Sequence, residues 1–213
     1  MEFNTAEHRE FHTSKEANSW GEKHYKEWSE SYKKNDFQLD AVFPDAENKV
    51  IECYCGFSYR DMNRILRYPN CNAEPKYKIM NQLLAMNIMW APRLPENIVV
   101  YRGVPISFVN ELHQPLNQNG WVCEKGFLST SLISTIEMDH GYDALLRIYL
   151  SKGIPGAYVS CVTDRSEHEF LSVPNIGIRL MNEKEKSDHF FKERAKSING
   201  YEVYDCLHFP YPL

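Results

Sequence analysis

The segment Arg165-Ser166-Glu167-His168-Glu169-Phe170-Leu171 places two carboxylates two residues apart, directly before a short apolar run. This pattern predicts a β-strand over residues 167–173. On a strand, residues i and i+2 project from the same face, so Glu167 and Glu169 are predicted to point together. Like charges side by side are unfavourable unless a cation or a polar substrate lies near them. The doublet alone fits both a solvated strand edge and a catalytic pair.

The overall composition indicates one globular domain. The chain has 213 residues, of which 43% are hydrophobic and 25% charged, which is ordinary for a soluble protein. The net charge of −5 argues against sequence-independent binding of nucleic acid. It does not exclude a local basic channel. Apolar stretches such as 83–91 are too short and interrupted to span a membrane. Met1-Glu2-Phe3-Asn4 has no basic region followed by an apolar core, so no secretory signal is predicted.

The cysteine pattern predicts free thiols and no metal site. The spacings fit neither a disulfide framework nor a paired zinc motif. We therefore expect buried or surface thiols in a reducing compartment. The six residues are Cys53, Cys55, Cys71, Cys123, Cys161 and Cys206.

The first half of the chain carries helix signals. Thr13-Ser14-Lys15-Glu16 is a capping box. It precedes an amphipathic helix with an aromatic stripe that we expect to face the core. Further helices are predicted over 46–54, ending at Gly56, over 59–68, ending before Pro69, and from Pro75 to Trp90. The stripe of the first helix is Ala17, Trp20, His24, Trp28 and Tyr32, with Tyr25 beside it, and the last helix carries Ile79, Leu83, Met86 and Trp90 on one face.

The second half reads as strands rich in β-branched and aromatic residues. The order of helices first and strands afterwards predicts an α+β fold with a mixed, antiparallel-rich sheet. We expect a single domain over 1–213, with a helical part at about 13–92 and a β part at about 97–213. Residues 182–197 are predicted to be a solvated, charged loop. The predicted strands are 98–101, 126–131, 144–150, 157–162, 167–173, 178–181 and 201–209.

Three strand motifs occur in a fixed order. They are Tyr101-Arg102-Gly103, Phe127-Leu128-Ser129-Thr130-Ser131 and Glu167-x-Glu169. Each motif alone has an ordinary structural explanation. The arginine can form a salt bridge, the hydroxyls can line a strand, and the glutamates can lie on a solvated strand edge. Together, each on its own predicted strand, they form a much stronger signal.

This constellation resembles the bacterial mono-ADP-ribosyltransferase toxins of the arginine–serine–glutamate class. The chain is particularly similar to the enzymatic components of actin-modifying binary toxins and to related exoenzymes. The likeness runs from about Thr13 to Leu171. It includes the first helix at 16–28, the tyrosine, asparagine and leucine–arginine pattern at 59–67, and the strands at 146–148 and 155–160.

The resemblance implies the ADP-ribosyltransferase fold, with NAD as substrate and no metal. Departure of nicotinamide from NAD leaves an oxocarbenium-like cation that a carboxylate can stabilise. The resemblance assigns this role to Glu169, and it assigns to Glu167 the orientation of the acceptor and removal of its proton. Relatives that modify asparagine carry glutamine at the first position, so Glu167 favours arginine as acceptor. Actin is the named target that the resemblance suggests.

The resemblance also implies contacts to NAD from both halves of the chain. Ser129 is expected to hold Glu169, and Arg102 to bind the phosphates, because a guanidinium matches phosphate geometry. For Arg67, a solvent-facing helix surface stays open as an alternative. Thr130 and Ser131 are also expected to support the serine strand. The further cofactor contacts are expected from Asn63, Arg67, Thr130, Ser131 and Tyr142.

Two segments depart from the family pattern. The loop 160–166 is polar and one residue shorter, whereas relatives usually carry an aromatic residue there that meets the target protein. Relatives often have phenylalanine and arginine after the serine motif, where this chain has Asp139-His140-Gly141-Tyr142. Tyr142 is expected to stack on nicotinamide, whereas the arginine of the relatives has no counterpart in this segment.

Other enzyme classes fit less well. His168 has no second histidine at metallopeptidase spacing, the paired cysteines of a zinc deaminase are missing, and neighbouring carboxylates on one strand do not flank a sugar. Three functions stay open: transfer to a protein arginine, transfer to nucleic acid, and a silent binding module on the same fold. The expected partner is a target protein with an acceptor arginine, with a separate delivery component or an antitoxin left open. We expect synthesis in a bacterial cytoplasm and action in a target-cell cytosol after secretion or injection, or action inside the producing cell.

Overall fold

Helices occupy most of the first half of the chain, as the sequence predicts. The structure, a computed structural model, describes residues 8–34, 49–72, 74–114, 121–135, 142–163, 165–186 and 195–210. A π-helical turn, Tyr54–Ser58, joins the second and third helices. The helices are α1 (Ser14–Lys34), α2 (Val50–Cys53), α3 (Tyr59–Arg67), α4 (Pro75–Trp90), α5 (Ile106–His113), α6 (Ser160–Thr163) and α7 (Glu183–Lys186).

One mixed sheet forms the second half. Its strands are β1 (Ile98–Val104), β2 (Val122–Glu124), β3 (Leu128–Ser131), β4 (Ala144–Leu150), β5 (Gly156–Tyr158), β6 (Glu169–Ser172), β7 (Ile176–Leu180), β8 (Ser197–Ile198) and β9 (Tyr201–Pro210). The strand order is β2-β7-β9-β4-β1-β3-β6-β5, with β8 beside β9. Among the pairs that the structure describes, β4 and β9 are parallel and the others are antiparallel. The predicted α+β class with an antiparallel-rich sheet is confirmed.

The start of α1 confirms the predicted capping box. The Glu16 amide donates to Thr13 Oγ1 at 3.2 Å, and the Thr13 amide donates to Glu16 Oε2 at 3.2 Å. These two bonds satisfy backbone donors that the first helical turn leaves without partners. Most of the aromatic stripe is buried as expected, with Trp20, Tyr25 and Tyr32 in the main core, whereas His24 and Trp28 are partly exposed.

A close approach packs α1 onto the segment that leads to the glutamates. A Cβ added at Gly21 would lie 2.1 Å from the ring of Tyr158 on β5. Only glycine allows the helix to come this near. On the next turn, the rings of Tyr25 and Phe170 meet edge to face, with their centroids 6.4 Å apart. α1 therefore supports the strand that carries Glu169.

α4 presents a different face to the core from the one that its periodicity indicates. Its outer face is partly exposed, with Ile79 36% and Trp90 61% accessible. The helix is apolar nearly all round, so spacing alone does not select one face. The buried residues are Met80, Asn81, Leu84 and Ile88, whereas the predicted stripe was Ile79, Leu83, Met86 and Trp90.

Several predicted boundaries are wrong for local reasons. Gly56 does not end a helix: its backbone (φ −84°, ψ −109°) kinks the π-helical turn that continues into α3. The strand predicted over 157–162 stops at Tyr158, because Val159 accepts the amides of Val162 and Thr163 and starts α6. The charged segment 182–197 contains α7 and the first residue of β8. Residues 46–48 and 187–194 lie outside the described part of the chain.

The face of the sheet opposite the main core carries a buried ion pair. Arg147 Nε lies 2.6 Å from Asp205 Oδ1, and Arg147 Nη2 lies 3.0 Å from Asp205 Oδ2. Tyr149 Oη donates to the same carboxylate at 2.9 Å. Arg147 and Asp205 are direct neighbours in the parallel pair of β4 and β9. This pair therefore joins the only parallel strands among the described residues.

Candidate active site

The Glu169 side chain is buried, and both of its carboxylate oxygens accept hydrogen bonds. Glu169 begins β6 opposite Ser131 of β3, and it is 6% exposed. Ser129 Oγ donates to Oε1 at 2.5 Å, as the resemblance implies. Cys55 Sγ donates to Oε2 at 3.2 Å. The carboxylate is therefore held in one orientation by groups from β3 and from the π-helical turn.

The groups around Glu169 have opposing effects on the pKa of its carboxyl. Burial is the largest influence and raises the pKa of the Glu169 carboxyl. The hydrogen bonds from Ser129 and Cys55 oppose this rise, and the nearby Glu167 charge adds to it. A carboxylate with so little solvent interacts strongly with any positive charge that forms beside it.

Glu167 does not share a strand face with Glu169, so that prediction is wrong. β6 begins at Glu169, and Glu167 lies in the preceding turn with 58% of its side chain exposed. His168 causes the break, because its backbone has φ +52°, a left-handed conformation that a strand cannot contain. The turn is held by Asn18 Oδ1, which lies 3.0 Å from His168 Nδ1. Arg165 Nη1 lies 3.3 Å from Glu167 Oε1.

Arg102 lies next to the serine strand, as expected. It is half-buried on β1, and its Nη1 donates to the Ser129 carbonyl at 2.9 Å. This contact links the arginine and serine motifs directly. Its charge also acts on Glu124 and lowers the pKa of that carboxyl.

Arg67 is bound by a carboxylate that sequence reasoning missed. Its Nε and Nη2 each donate to a different oxygen of Glu124 at 2.9 Å. Burial would raise the pKa of Glu124, but the Arg67 hydrogen bonds and the charges of Arg102 and Arg67 outweigh it. Arg67 therefore faces Glu124 while 35% of its side chain stays exposed, and its contact with NAD stays a prediction. Glu124 is thus bound directly by Arg67, and the charge of Arg102 also acts on it.

Asn63 connects the helical and β walls of the site. Its Nδ2 donates to Tyr54 Oη at 3.0 Å, and its Oδ1 accepts the Phe127 amide at 2.8 Å. The side chain is 5% exposed. The nitrogen and the oxygen of the Asn63 side-chain amide are thus both hydrogen-bonded within the protein. Asn63 thereby fixes the position of the turn that carries Cys55.

Thr130 and Ser131 brace the strand. Thr130 Oγ1 donates to the Phe170 carbonyl at 2.8 Å. Ser131 Oγ donates to the Glu167 carbonyl at 3.1 Å and accepts the Ile133 amide at 3.2 Å. Both hydroxyls hold the glutamate segment against β3, which matches a supporting role better than direct contact with NAD.

Tyr142 lies apart from the hydrogen-bonded residues around Glu169. It is 38% exposed and precedes β4 by two residues. The residue opposite Arg102 on β4 is Leu146, four positions farther on, which is about 13 Å along a strand. Among the described residues, no hydrogen bond joins Tyr142 to Arg102, Ser129 or Glu169, and its stacking on nicotinamide stays a prediction. Residues 139–141 lie outside the described part of the chain.

Cys55 and Glu124 are the site residues that sequence reasoning missed. Cys55 is separated from Glu169 by 114 positions, and its spacing to Cys53 drew attention only to metal binding. Glu124 lies on a short strand for which the sequence predicts no element. In the part of the chain that the structure describes, no three histidine, cysteine or acidic side chains are grouped to hold a metal ion. Within the same residues, no helix has the length and apolar character needed to cross a membrane.

The family model for ADP-ribosyltransferase exoenzymes matches residues 17–174, which include all three strand motifs. The chain belongs to this family. The prediction made from the arginine, serine and glutamate motifs is confirmed. No curated protein matches the sequence.

Solved structures of ADP-ribosyltransferases share this exoenzyme's fold. BECa of a Clostridium perfringens binary enterotoxin, solved with NADH, is 17% identical with a TM-score of 0.67 over 95% of this chain and 50% of its own. The Clostridium limosum C3 exoenzyme is 16% identical with a TM-score of 0.65 over 95% of this chain and 98% of its own. C2-I, the enzymatic component of Clostridium botulinum C2 toxin, is 18% identical with a TM-score of 0.65 over 97% of this chain. The chain spans about half the length of BECa and of C2-I, each covered to 50%.

Proposed function

We propose that this exoenzyme transfers ADP-ribose from NAD to an arginine side chain of a target protein. The observation that carries the proposal is the buried Glu169 carboxylate, held by Ser129 on one oxygen and by Cys55 on the other. When the bond between nicotinamide and ribose breaks, its electron pair leaves with nicotinamide and the ribose becomes positively charged. A fixed, desolvated carboxylate stabilises that charge without having to reorganise.

Arg102 and Arg67 supply the affinity for the diphosphate of NAD. Arg102 and Arg67 carry two positive charges around the single carboxylate of Glu124. A guanidinium that is already oriented by a partner loses little freedom when it binds a phosphate. BECa with NADH and Staphylococcus aureus C3stau2 with NAD are examples of this fold with such a dinucleotide. They support NAD as the substrate.

Glu167 is the residue that we propose to receive the acceptor. Its carboxylate is exposed on the turn before Glu169, and it already contacts a guanidinium, that of Arg165. An incoming arginine can take the place of Arg165 in this contact. Glu167 then accepts a proton as the guanidine nitrogen attacks the ribose carbon. The acceptor protein that the resemblance suggests first is actin, and the matches to binary-toxin components support a separate delivery component as partner.

Glu167 is expected to affect the transfer of ADP-ribose to the acceptor but not the cleavage of NAD. Glu167→Gln should keep release of nicotinamide from NAD within about twofold, but slow transfer to agmatine, a small guanidino acceptor, by about 100-fold, as expected for a lost general base. Both products are measured by chromatography with the purified protein. Glu27→Gln, which changes an exposed glutamate of α1, is the control. Undiminished transfer to agmatine by Glu167→Gln would contradict the assignment of an arginine acceptor to Glu167.

The Cys55 thiol is expected to affect the pH dependence of NAD cleavage. Cys55→Ala removes a hydrogen bond that lowers the pKa of Glu169. The carboxyl then takes up a proton at higher pH, so the activity that needs the ionised form is lost earlier as the pH falls. We expect about a tenfold slower reaction at neutral pH, since hydrogen bonds to charged groups are worth 1.5–3 kcal/mol and a thiol is a weak donor.

Nicotinamide release between pH 4 and pH 9 measures this effect. Cys55→Ser keeps a donor and should resemble the wild type, and Cys53→Ala is the matched cysteine control on α2. The positioning role is disproved by a Cys55→Ala profile that superimposes on the wild-type profile.

A further inference from the structure

Phe57 is more exposed than any other large apolar side chain in the described part of the chain. It is 95% accessible and lies in the π-helical turn between α2 and α3. Phenylalanine is usually buried, but isolated exposed apolar residues are common and need no special explanation. The significance of Phe57 therefore depends on how the turn is held and on what lies beside it.

The turn that carries Phe57 is firmly anchored. Tyr54 is buried and is bound by the Asn63 amide, and Cys55 is buried with its thiol on Glu169. Gly56 then kinks the backbone out of helical geometry. Phe57 therefore follows two residues whose side chains are fixed in the core. Its exposure is a property of the ordered fold.

The same turn is connected to the carboxylate proposed to receive the acceptor. Arg165 Nη1 donates to the Cys55 carbonyl and lies 3.3 Å from Glu167 Oε1. Phe57 is two residues from Cys55 in sequence. The exposed ring therefore lies on the turn whose backbone binds the guanidinium that contacts the acceptor-facing carboxylate. We call these three residues the Phe57 face (Phe57, Arg165 and Glu167).

A cavity borders the Phe57 face at Arg165. Its volume is about 530 Å³, and it lies between α1 and the segment from β5 to Ser166. Its charges have both signs, whereas grooves that follow a nucleic-acid backbone are positively charged along their length. The charged residues that line it are Glu22, Glu30, Lys26, Lys33 and Arg165.

We propose that Phe57 anchors the acceptor protein. This inference rests on the proposed function. The ring enters an apolar recess of the partner next to the arginine that Glu167 engages, and the mixed charges of the cavity meet a polar segment of the same partner. Aromatic side chains, including phenylalanine, and arginine are enriched at protein interfaces. The partner is thus a folded protein that presents an apolar recess beside an accessible arginine.

Phe57→Ala tests the anchor, with Phe57→Tyr as the conservative variant and Trp90→Ala as an exposed aromatic control on α4. Purified variants are incubated with biotin-labelled NAD and a limiting amount of mammalian cell lysate, and nicotinamide release is measured separately without lysate. We expect Phe57→Ala to label lysate protein about 30-fold more slowly, the loss typical of a hot-spot residue. Nicotinamide release should stay within about twofold of the wild type in all three variants, since the chemistry is unchanged.

Three results would overturn the anchor. One is undiminished labelling by Phe57→Ala, and another is an equal loss of nicotinamide release, which would place Phe57 in the NAD site. The third is a labelled product that RNase removes and protease does not, because the ring would then stack on a base. Failure of the wild type to release nicotinamide is a separate outcome: it would refute the proposed function itself, and the anchor with it.

Discussion

Glu169→Gln is expected to slow NAD cleavage by about 1,000-fold or more, the range seen when a charge that stabilises a transition state is removed. Glutamine keeps the size and planar shape of the side chain and loses its negative charge. The oxocarbenium-like ribose then has no buried anion beside it. Ser129 can still donate to the amide oxygen, so the local geometry of β3 and β6 should persist.

The stability of Glu169→Gln should not fall with its activity. Burial raises the pKa of Glu169, which means that the folded protein holds this carboxylate at a cost relative to water. A neutral side chain avoids that cost, so the midpoint of thermal unfolding should be unchanged or higher. Loss of activity with retained stability distinguishes a catalytic role from a structural one.

Nicotinamide release and labelling of lysate protein with labelled NAD measure the activity of Glu169→Gln. Glu167→Gln is the matched control, because it changes the neighbouring carboxylate but should preserve NAD cleavage. Equal labelling by the wild type and Glu169→Gln would rule out the transferase mechanism that we propose for this site.

The contact between Ser129 and Glu169 was predictable because it depends on short, regular strands. β3 and β6 pair in register, and alternation places Ser129 within reach of the first residue of β6. The position of Glu167 was not predictable in the same way. One left-handed residue, His168, ends the regular geometry, and its side chain contacts the distant Asn18 of α1.

The remaining site contacts depend on packing between segments that are far apart in sequence. Cys55 reaches Glu169 across 114 positions, and Arg67 reaches Glu124 across 57. No local pattern encodes which of several buried carboxylates a thiol or a guanidinium will meet. The orientation of α4 is a similar case, because a helix that is apolar on most sides is oriented by its neighbours and not by its own periodicity.

Asp205→Ala is expected to lower the free energy of unfolding by about 3–5 kcal/mol, the usual cost of breaking a buried ion pair from one side. Arg147 is almost fully buried, with 4% of its side chain exposed, and the Asp205 carboxylate meets it with two hydrogen bonds. Without Asp205, a guanidinium remains charged in a place that water barely reaches. Tyr149 loses its acceptor in the same change. The loss of stability therefore arises between the parallel strands β4 and β9, on the face of the sheet opposite the main core.

Urea unfolding followed by circular dichroism measures this loss, and two comparisons separate the buried charge from other causes. Asp61→Ala breaks an exposed pair with Arg64, whose side chains are 39% and 52% accessible, and should cost less than about 1 kcal/mol. The double variant Arg147→Met with Asp205→Leu removes both charges and should recover most of the stability, because the uncompensated ion is then gone. If Asp205→Ala and Asp61→Ala destabilise the protein equally, the pair across β4 and β9 does not hold these strands together. If the double variant is as unstable as Asp205→Ala, the loss comes from packing and not from the buried charge.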